Sequence, residues 1–86
     1  MLFQVCVLRD LSADCFGQPT FCARLGLATR SFADEVNRKD ANNMLNKHPS
    51  DFDLYHLGEY DDGTARFTLF DLPVLLCSGS SVYRGE

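Results

Sequence analysis

Tryptophan is absent from this 86-residue sequence, proline occurs only three times, and the longest apolar runs are Val5 to Leu8 and Leu72 to Cys77. Neither run approaches the ~20 residues that a membrane-spanning helix requires. The order of a secretory signal is missing too, since Arg9 and Asp10 directly follow the first apolar run. A soluble, cytoplasmic protein without a membrane partner is therefore expected. No two cysteines form a CxxC pair, which removes the usual zinc-ribbon and thioredoxin arrangements. There is no GxSxG, no P-loop and no GxGxxG, so the common devices for a serine nucleophile or a nucleotide phosphate are lacking. Internal repeats and linkers are also absent.

What is present describes one thin domain. A chain of this length buries only about 60% of its unfolded surface. Hydrophobic residues make up 45% and charged residues 23%, an ordinary globular balance. The net charge of −4 is unevenly spread. Residues 1–48 hold six basic and five acidic side chains; residues 49–86 hold two and seven. The acidic total argues against non-specific duplex binding, which needs many phosphate-neutralising cations, but leaves room for a basic face in the first half. The thiols are Cys6, Cys15, Cys22 and Cys77. Two disulfides would have three possible connectivities. Cys6 and Cys77 sit within apolar runs, which favours buried free thiols.

Leu2 to Leu8 is apolar at almost every position and reads as a central strand covered on both faces. A short strand is expected around Thr20 to Ala23, and Gly26 then breaks the chain. Ala28, Phe32 and Val36 recur every fourth residue, predicting an amphipathic helix from Leu27 to about Lys39. Asn42 to Lys47 adds a turn before His48-Pro49. Asp53 to Tyr60 reads as a strand, Asp61-Asp62-Gly63-Thr64 as a hairpin turn using a positive φ at Gly63, and Ala65 to Phe70 as the returning strand. Asp71 and Pro73 separate this from a last strand, Val74 to Cys77. The predicted fold is α+β, one main amphipathic helix packed on a four- to five-stranded antiparallel or mixed sheet. Residues 1–77 form the domain and 78–86 a flexible C-terminal tail.

The chemistry on offer is sparse. His48 and His56 are the only side chains suited to act as bases near neutral pH, and neither is accompanied by a recognisable nucleophile. Glu59, Asp61 and Asp62 lack the spacing of a calcium loop and read as a solvated turn. No catalytic residue, metal ligand or cofactor is assigned, and the protein is expected not to be an enzyme. The basic residues Arg24, Arg30, Arg38, Lys39 and Lys47 gather around the helix, with Arg66 on the returning strand. Cations beside aromatics such as Tyr55, Tyr60 and Tyr83 are what single-stranded nucleic acid needs, namely charge for the backbone and rings for the bases. The simpler alternative is a solvated helix whose cations pair with Asp34, Glu35 and Asp40.

Three segments carry a family resemblance. Leu2 to Asp10 with Ala13, Phe16, Gly17 and Pro19 has the form of an apolar strand, then RD, then A-x-x-F-G-x-P. The second is Arg30-Ser31-Phe32-Ala33-Asp34-Glu35-Val36-Asn37, and the third and most specific runs from Asn46 to Thr64. Together they resemble the small nonstructural protein of gokushoviruses, the single-stranded DNA phages of the Microviridae related to the Chlamydia and Spiroplasma phages. The resemblance spans about residues 2–75, with Gln18-Pro19-Thr20-Phe21 departing from the usual proline and paired aromatics. It implies a non-enzymatic phage protein of the bacterial host cytoplasm, acting in viral DNA replication and single-strand packaging. Binding of single-stranded DNA would involve Arg24, Arg30, Arg38, Lys39, Lys47, Arg66 and Tyr55. Because −4 per chain repels phosphate, a homo-oligomer, foremost a dimer, is expected. The rival expectation is a protein-interaction module that engages the phage initiator, a host replication factor or a scaffolding component without touching DNA. The acidic second half favours that rival.

Overall fold

The computed structural model describes residues 1–85. Its elements are β1 (Leu2–Asp10), β2 (Cys15–Phe16), β3 (Thr20–Cys22), α1 (Leu25–Asn37), α2 (Met44–Lys47), a 3-10 turn (Pro49–Asp51), β4 (Phe52–Asp61), β5 (Arg66–Ser78) and α3 (Gly79–Val82). The strands form one five-stranded sheet in which β2 and β3 share one side of β1, β4 takes its other side and β5 is the far edge. Every pairing is antiparallel, which resolves the antiparallel-or-mixed expectation. The class is α+β.

Several boundaries differ from the sequence reading for physical reasons. Gly26 does not break the chain. It lies in the first turn of α1, where backbone N–H groups have no intrahelical partner and a glycine disrupts little. The helix also stops at Asn37, so Arg38 caps it in extended conformation and Lys39 falls beyond it. The two strands expected on either side of Asp71 and Pro73 are one strand, β5. Its ladder with β4 steps from His56–Val74 to Gly58–Leu69, so residues 70–73 bulge against Leu57 alone. A bulge on an edge strand is where proline's missing N–H is tolerated. In the hairpin the left-handed residue is Ala65 (φ 60°), not Gly63. The turn is closed by the Ala65 N–H donating to the Asp61 carbonyl at 2.7 Å, while Asp61 Oδ1 accepts from the Gly63 N–H at 2.9 Å.

The core lies between the sheet and α1. Phe32 (4% exposed) and Val36 (0%) pack with Cys6 and Leu54, flanked by Leu8, Leu45, Cys77 and Val82. Burial of side chains of this kind contributes about 1.5–3 kcal/mol each. Two asparagines bind carbonyls at the end of α1, and a third ties the helix to the chain's last turn. Asn43 Nδ2 donates to the Glu35 and Arg38 carbonyls, both at 2.8 Å, and Asn46 Nδ2 donates to the Val36 carbonyl at 3.0 Å. Asn37 Nδ2 donates to the Val82 carbonyl at 3.0 Å, and Asn37 Oδ1 accepts from the Arg84 N–H at 2.8 Å. In the expected tail 78–86, Gly79–Val82 thus forms a helical turn held against α1, with Gly79 buried; Glu86 lies outside the described residues.

The radius of gyration is 13.5 Å, against about 12 Å for a compact chain of this length. The principal extents are 44 × 23 × 20 Å. The excess length is the distal half of the sheet, where residues 2–5, 58–61 and 66–69 extend past the helices.

Candidate nucleic-acid interface

Opposed residues of antiparallel strands project to the same face, so the register sorts the side chains. One face carries Gln4, Cys6 and Leu8 of β1, Cys22 of β3, Leu54, His56, Glu59 and Asp61 of β4, and Arg66, Thr68 and Cys77 of β5. All three helices contribute to the cluster on this face, through Phe32 and Val36, Leu45, and Val82. The other face carries Phe3, Val5, Val7 and Arg9 of β1, Phe16, Phe21, Tyr55 and Tyr60, and Phe67, Leu69 and Leu75 of β5. Among the described residues no helix packs across it. It carries no helix and is called the bare face, yet Val5, Cys6 and Val7 are all buried, so the middle of β1 is covered on both sides as expected, on this side by neighbouring strand side chains.

The bare face is aromatic at both ends. Distally, Tyr60 and Phe67 approach to 4.8 Å between ring centroids, and Phe21 lies 5.5 Å from Tyr60 and 6.2 Å from Phe67. Proximally, Phe16 meets Tyr55 edge to face at 5.5 Å. Val5 and Val7 lie sealed between them at 2% and 3% exposure, whereas Phe21 and Phe67 are 51% and 52% exposed. Arg9 is the cation of this face. Its Nη2 donates to Asp14 Oδ1 at 2.8 Å and its guanidinium lies 5.5 Å from the Phe16 centroid. Asp14 and then Tyr55 raise its pKa further above the usual arginine value. The Arg9 Nε–H is buried and has no partner.

The candidate cations are elsewhere. Arg38 is engaged by two carboxylates, with Glu35 at 2.8 and 3.0 Å and Asp40 at 3.0 Å. These contacts push the Arg38 pKa up, and the Arg38 contact holds Glu35 below the usual carboxylate range. Asp40 is lowered first by the Asn42 N–H and then by Arg38. Arg24 caps the start of α1, Arg30 is exposed on it, Lys39 follows it and Lys47 ends α2. Arg66 stands opposite Asp61 at the distal tip, on the helix-bearing face. Tyr55 therefore lies on one side of the sheet, while the α1 and α2 cations belong to the elements packed on the other. The structure does not bring them together. Sequence reasoning singled out Tyr60 but missed Phe16, Phe21, Phe67 and Arg9, and did not group them with it. The available signal was the odd-numbered alternation of β1, which places Phe3, Val5, Val7 and Arg9 together.

The titratable side chains have structural surroundings. His56 is 8% exposed, and its Nε2–H donates to Gln4 Oε1 at 2.8 Å and to the Gly58 carbonyl at 3.0 Å. The Phe70 ring meets His56 edge-on at 4.8 Å, while His48 is exposed. All four cysteines are free. Burial, then the neighbouring Cys22, pushes the Cys6 thiol up to about 12. Both thiols border a groove of about 400 Å³ between α1 and the sheet, whose Glu35 is already committed to Arg38. Among the described residues no group of three or more His, Cys, Asp or Glu is arranged to hold a metal ion. Among the described residues no helix is long and apolar enough to cross a membrane.

Residues 3–82 match the sequence model of a protein family described as Phage ORF5 protein. No curated protein and no solved structure matches the chain.

Proposed function

The chain belongs to the Phage ORF5 protein family and is a phage protein, and from that premise we propose that it binds single-stranded DNA on the bare face of its sheet. In this reading it is a non-enzymatic, nonstructural protein of a gokushovirus-type phage. It works as an oligomer in the host cytoplasm during viral DNA replication and packaging. The observation that carries the proposal is a sheet dressed with helices on one side and with six aromatic rings on the other. Rings at a sheet surface stack on unpaired bases, accept every base and contribute about 1–3 kcal/mol per base. Here α1 acts as the main amphipathic helix, covering the opposite face so that this one stays open. Tyr55 keeps the role expected from the sequence. Arg9 replaces the helix cations beside it, and Arg24, Arg30, Lys39 and Lys47 serve at most as long-range attraction.

The test is fluorescence anisotropy of a labelled oligothymidylate at low salt. The expected result is binding that weakens by about 5- to 150-fold in Tyr60→Ala and in Phe67→Ala, from the stacking energy above. Arg30→Ala and Lys47→Ala are expected to change it little. Absence of binding by any oligomer at low salt refutes direct DNA contact. Loss confined to the helix-cation variants refutes the choice of face.

A second reading is the protein-interaction module, favoured by the exposed apolar side chains of β5. Under it the initiator, a host replication factor or a scaffolding component occupies the chain and DNA does not. Retention of a purified replication protein together with absent DNA binding would select it.

A further inference from the structure

We infer that two copies of this chain join through the distal edge of β5, antiparallel about a dyad at Thr68. The inference deepens the oligomeric part of the reading above and is independent of whether DNA is bound.

Among the described residues the outer edge of β5 has no partner strand, and most of its side chains are apolar. Phe67, Leu69, Phe70, Leu72, Val74 and Leu75 are 44–75% exposed. Their exposed surface is on the order of 700 Å², against the ~800 Å² per partner of a standard interface, and a joint centred on Thr68 covers the part that flanks Arg66–Leu69. Soluble proteins blunt such edges, and β5 is blunted only in part. The bulge at 70–73 carries Asp71 and Pro73 and interrupts the edge, and Leu76 forms a second irregularity. The stretch with an unbroken ladder is Arg66–Leu69, facing Asp61–Gly58.

Backbone direction fixes how that stretch can pair. A methyl built at Gly58 would run into the Thr68 carbonyl, so the Thr68 carbonyl faces β4. Polar backbone groups alternate sides along a strand, so those of Phe67 and Leu69 face outward. An antiparallel neighbour related by a two-fold axis must sit with that axis perpendicular to the sheet and through a residue. With the axis at Thr68, Phe67 of each copy opposes Leu69 of the other. Each such pair exchanges both backbone bonds through groups the single chain leaves unused. The apolar pairs lie on the bare face. Arg66 of one copy comes opposite Phe70 of the other, and Asp71, the other charged residue of β5, lies in the bulge beyond it.

A perpendicular axis also leaves faces unchanged. The bare faces of both copies continue on one side of a single sheet, and both sets of helices lie on the other. The occupant is therefore a second copy of this chain, and its arrival extends the aromatic surface instead of hiding it.

Sedimentation equilibrium of the full chain without DNA tests this. The expected result is a dimer that becomes a monomer with unchanged far-ultraviolet circular dichroism in Leu69→Pro, which removes an outward N–H from an edge strand. Thr68→Cys in a Cys15→Ser background gives a second readout, because Cys15 is exposed. Residues opposed in a non-hydrogen-bonded pair have Cα atoms about 4.5 Å apart, within disulfide reach. Mild oxidation should link the thiols introduced at position 68 of the two copies into a covalent dimer within minutes, and the linked dimer should retain native dichroism. A monomeric wild-type chain overturns the inference. So does a dimer that survives Leu69→Pro and does not link through position 68. Loss of DNA binding with the dimer intact would strike the functional reading and leave this one standing.

Discussion

Gly58 joins the two halves of the sheet, and replacing it with alanine is the sharpest test of how β4 is built. The residue has φ +145°, a conformation that side chains rarely adopt, and it is buried between β1 and β5. A methyl there would run into the Thr68 carbonyl oxygen and stand 2.8 Å from Leu69 Cα. Both obstacles are backbone, so no side-chain rotation relieves them. The backbone conformation alone costs an L-residue about 1–3 kcal/mol. Separating β5 enough to admit the methyl weakens one or two ladder bonds, at about 1 kcal/mol each. Gly58→Ala is therefore expected to lose about 2–5 kcal/mol, a large part of the 5–15 kcal/mol typical of a small domain. Urea denaturation followed by circular dichroism measures it as a lower midpoint with an unchanged slope. Amide exchange should show the damage centred on 58–60 and 67–69. A variant within about 0.5 kcal/mol of wild type, the ordinary range of an exposed substitution, would refute the close approach of β4 and β5 at this point.

Three other expectations concern separate parts of the fold. Ala65 holds a left-handed conformation at φ 60°, so Ala65→Gly should gain up to about 1 kcal/mol once glycine's unfolded-state entropy is subtracted, raising Tm by several degrees in calorimetry. Timed alkylation read by mass spectrometry should modify exposed Cys15 first and Cys6, whose thiol is pushed up to about 12 by burial, only on global unfolding. The Met1 amine donates to Asp62 Oδ1 at 2.8 Å, and this contact raises its pKa above 8.0. A raised amine pKa means that the contact's contribution is complete below pH 8.0 and is lost as pH rises through the folded value. NMR titration should find that value lowered in Asp62→Asn.

The helix was legible because Ala28, Phe32 and Val36 keep a four-residue spacing and only one side of α1 is buried. The β4–β5 turn was legible from its acidic and glycine residues, although the left-handed position was not, because Asp61 ties the loop through both its carbonyl and its side chain. The continuity of β5 was hidden by Asp71 and Pro73, which read as a break in one chain and are absorbed as a bulge between two. The bare face was hidden for a different reason. In β1, Phe3, Val5 and Val7 alternate with Leu2, Cys6 and Leu8, so both faces are apolar and the alternation cannot say which is covered. Only the packing of α1 and α3 against Cys6 and Leu54 decides it. Arg9 is not among the cations the sequence offers for binding, because its significance comes from Phe16 and Tyr55, one on another strand seven residues on and the other across the sheet.

Charge is the remaining objection to a DNA-binding role, and the register answers it in a measurable way. Glu59 and Asp61 project to the helix-bearing face, and Asp61 and Asp62 are also drawn to the Met1 amine at the tip. On the strands of the bare face the charged side chains are Arg9 and Asp53, and Arg9 is already paired with Asp14. A single strand lying there meets rings and no net positive charge, so at most one phosphate is neutralised per chain. For single strands the logarithm of affinity falls with the logarithm of salt at about −0.7 per neutralised phosphate, which gives a slope of about −0.7 or shallower. Binding through Arg24, Arg30, Arg38, Lys39 and Lys47 would neutralise about five and give a slope of about −3.5. The two surfaces lie on opposite sides of one sheet, so a single anisotropy series in rising salt separates them. A steep slope would refute the aromatic face as the contact surface. A shallow one, with the affinity falling in Phe67→Ala, is the signature of stacking by an acidic protein.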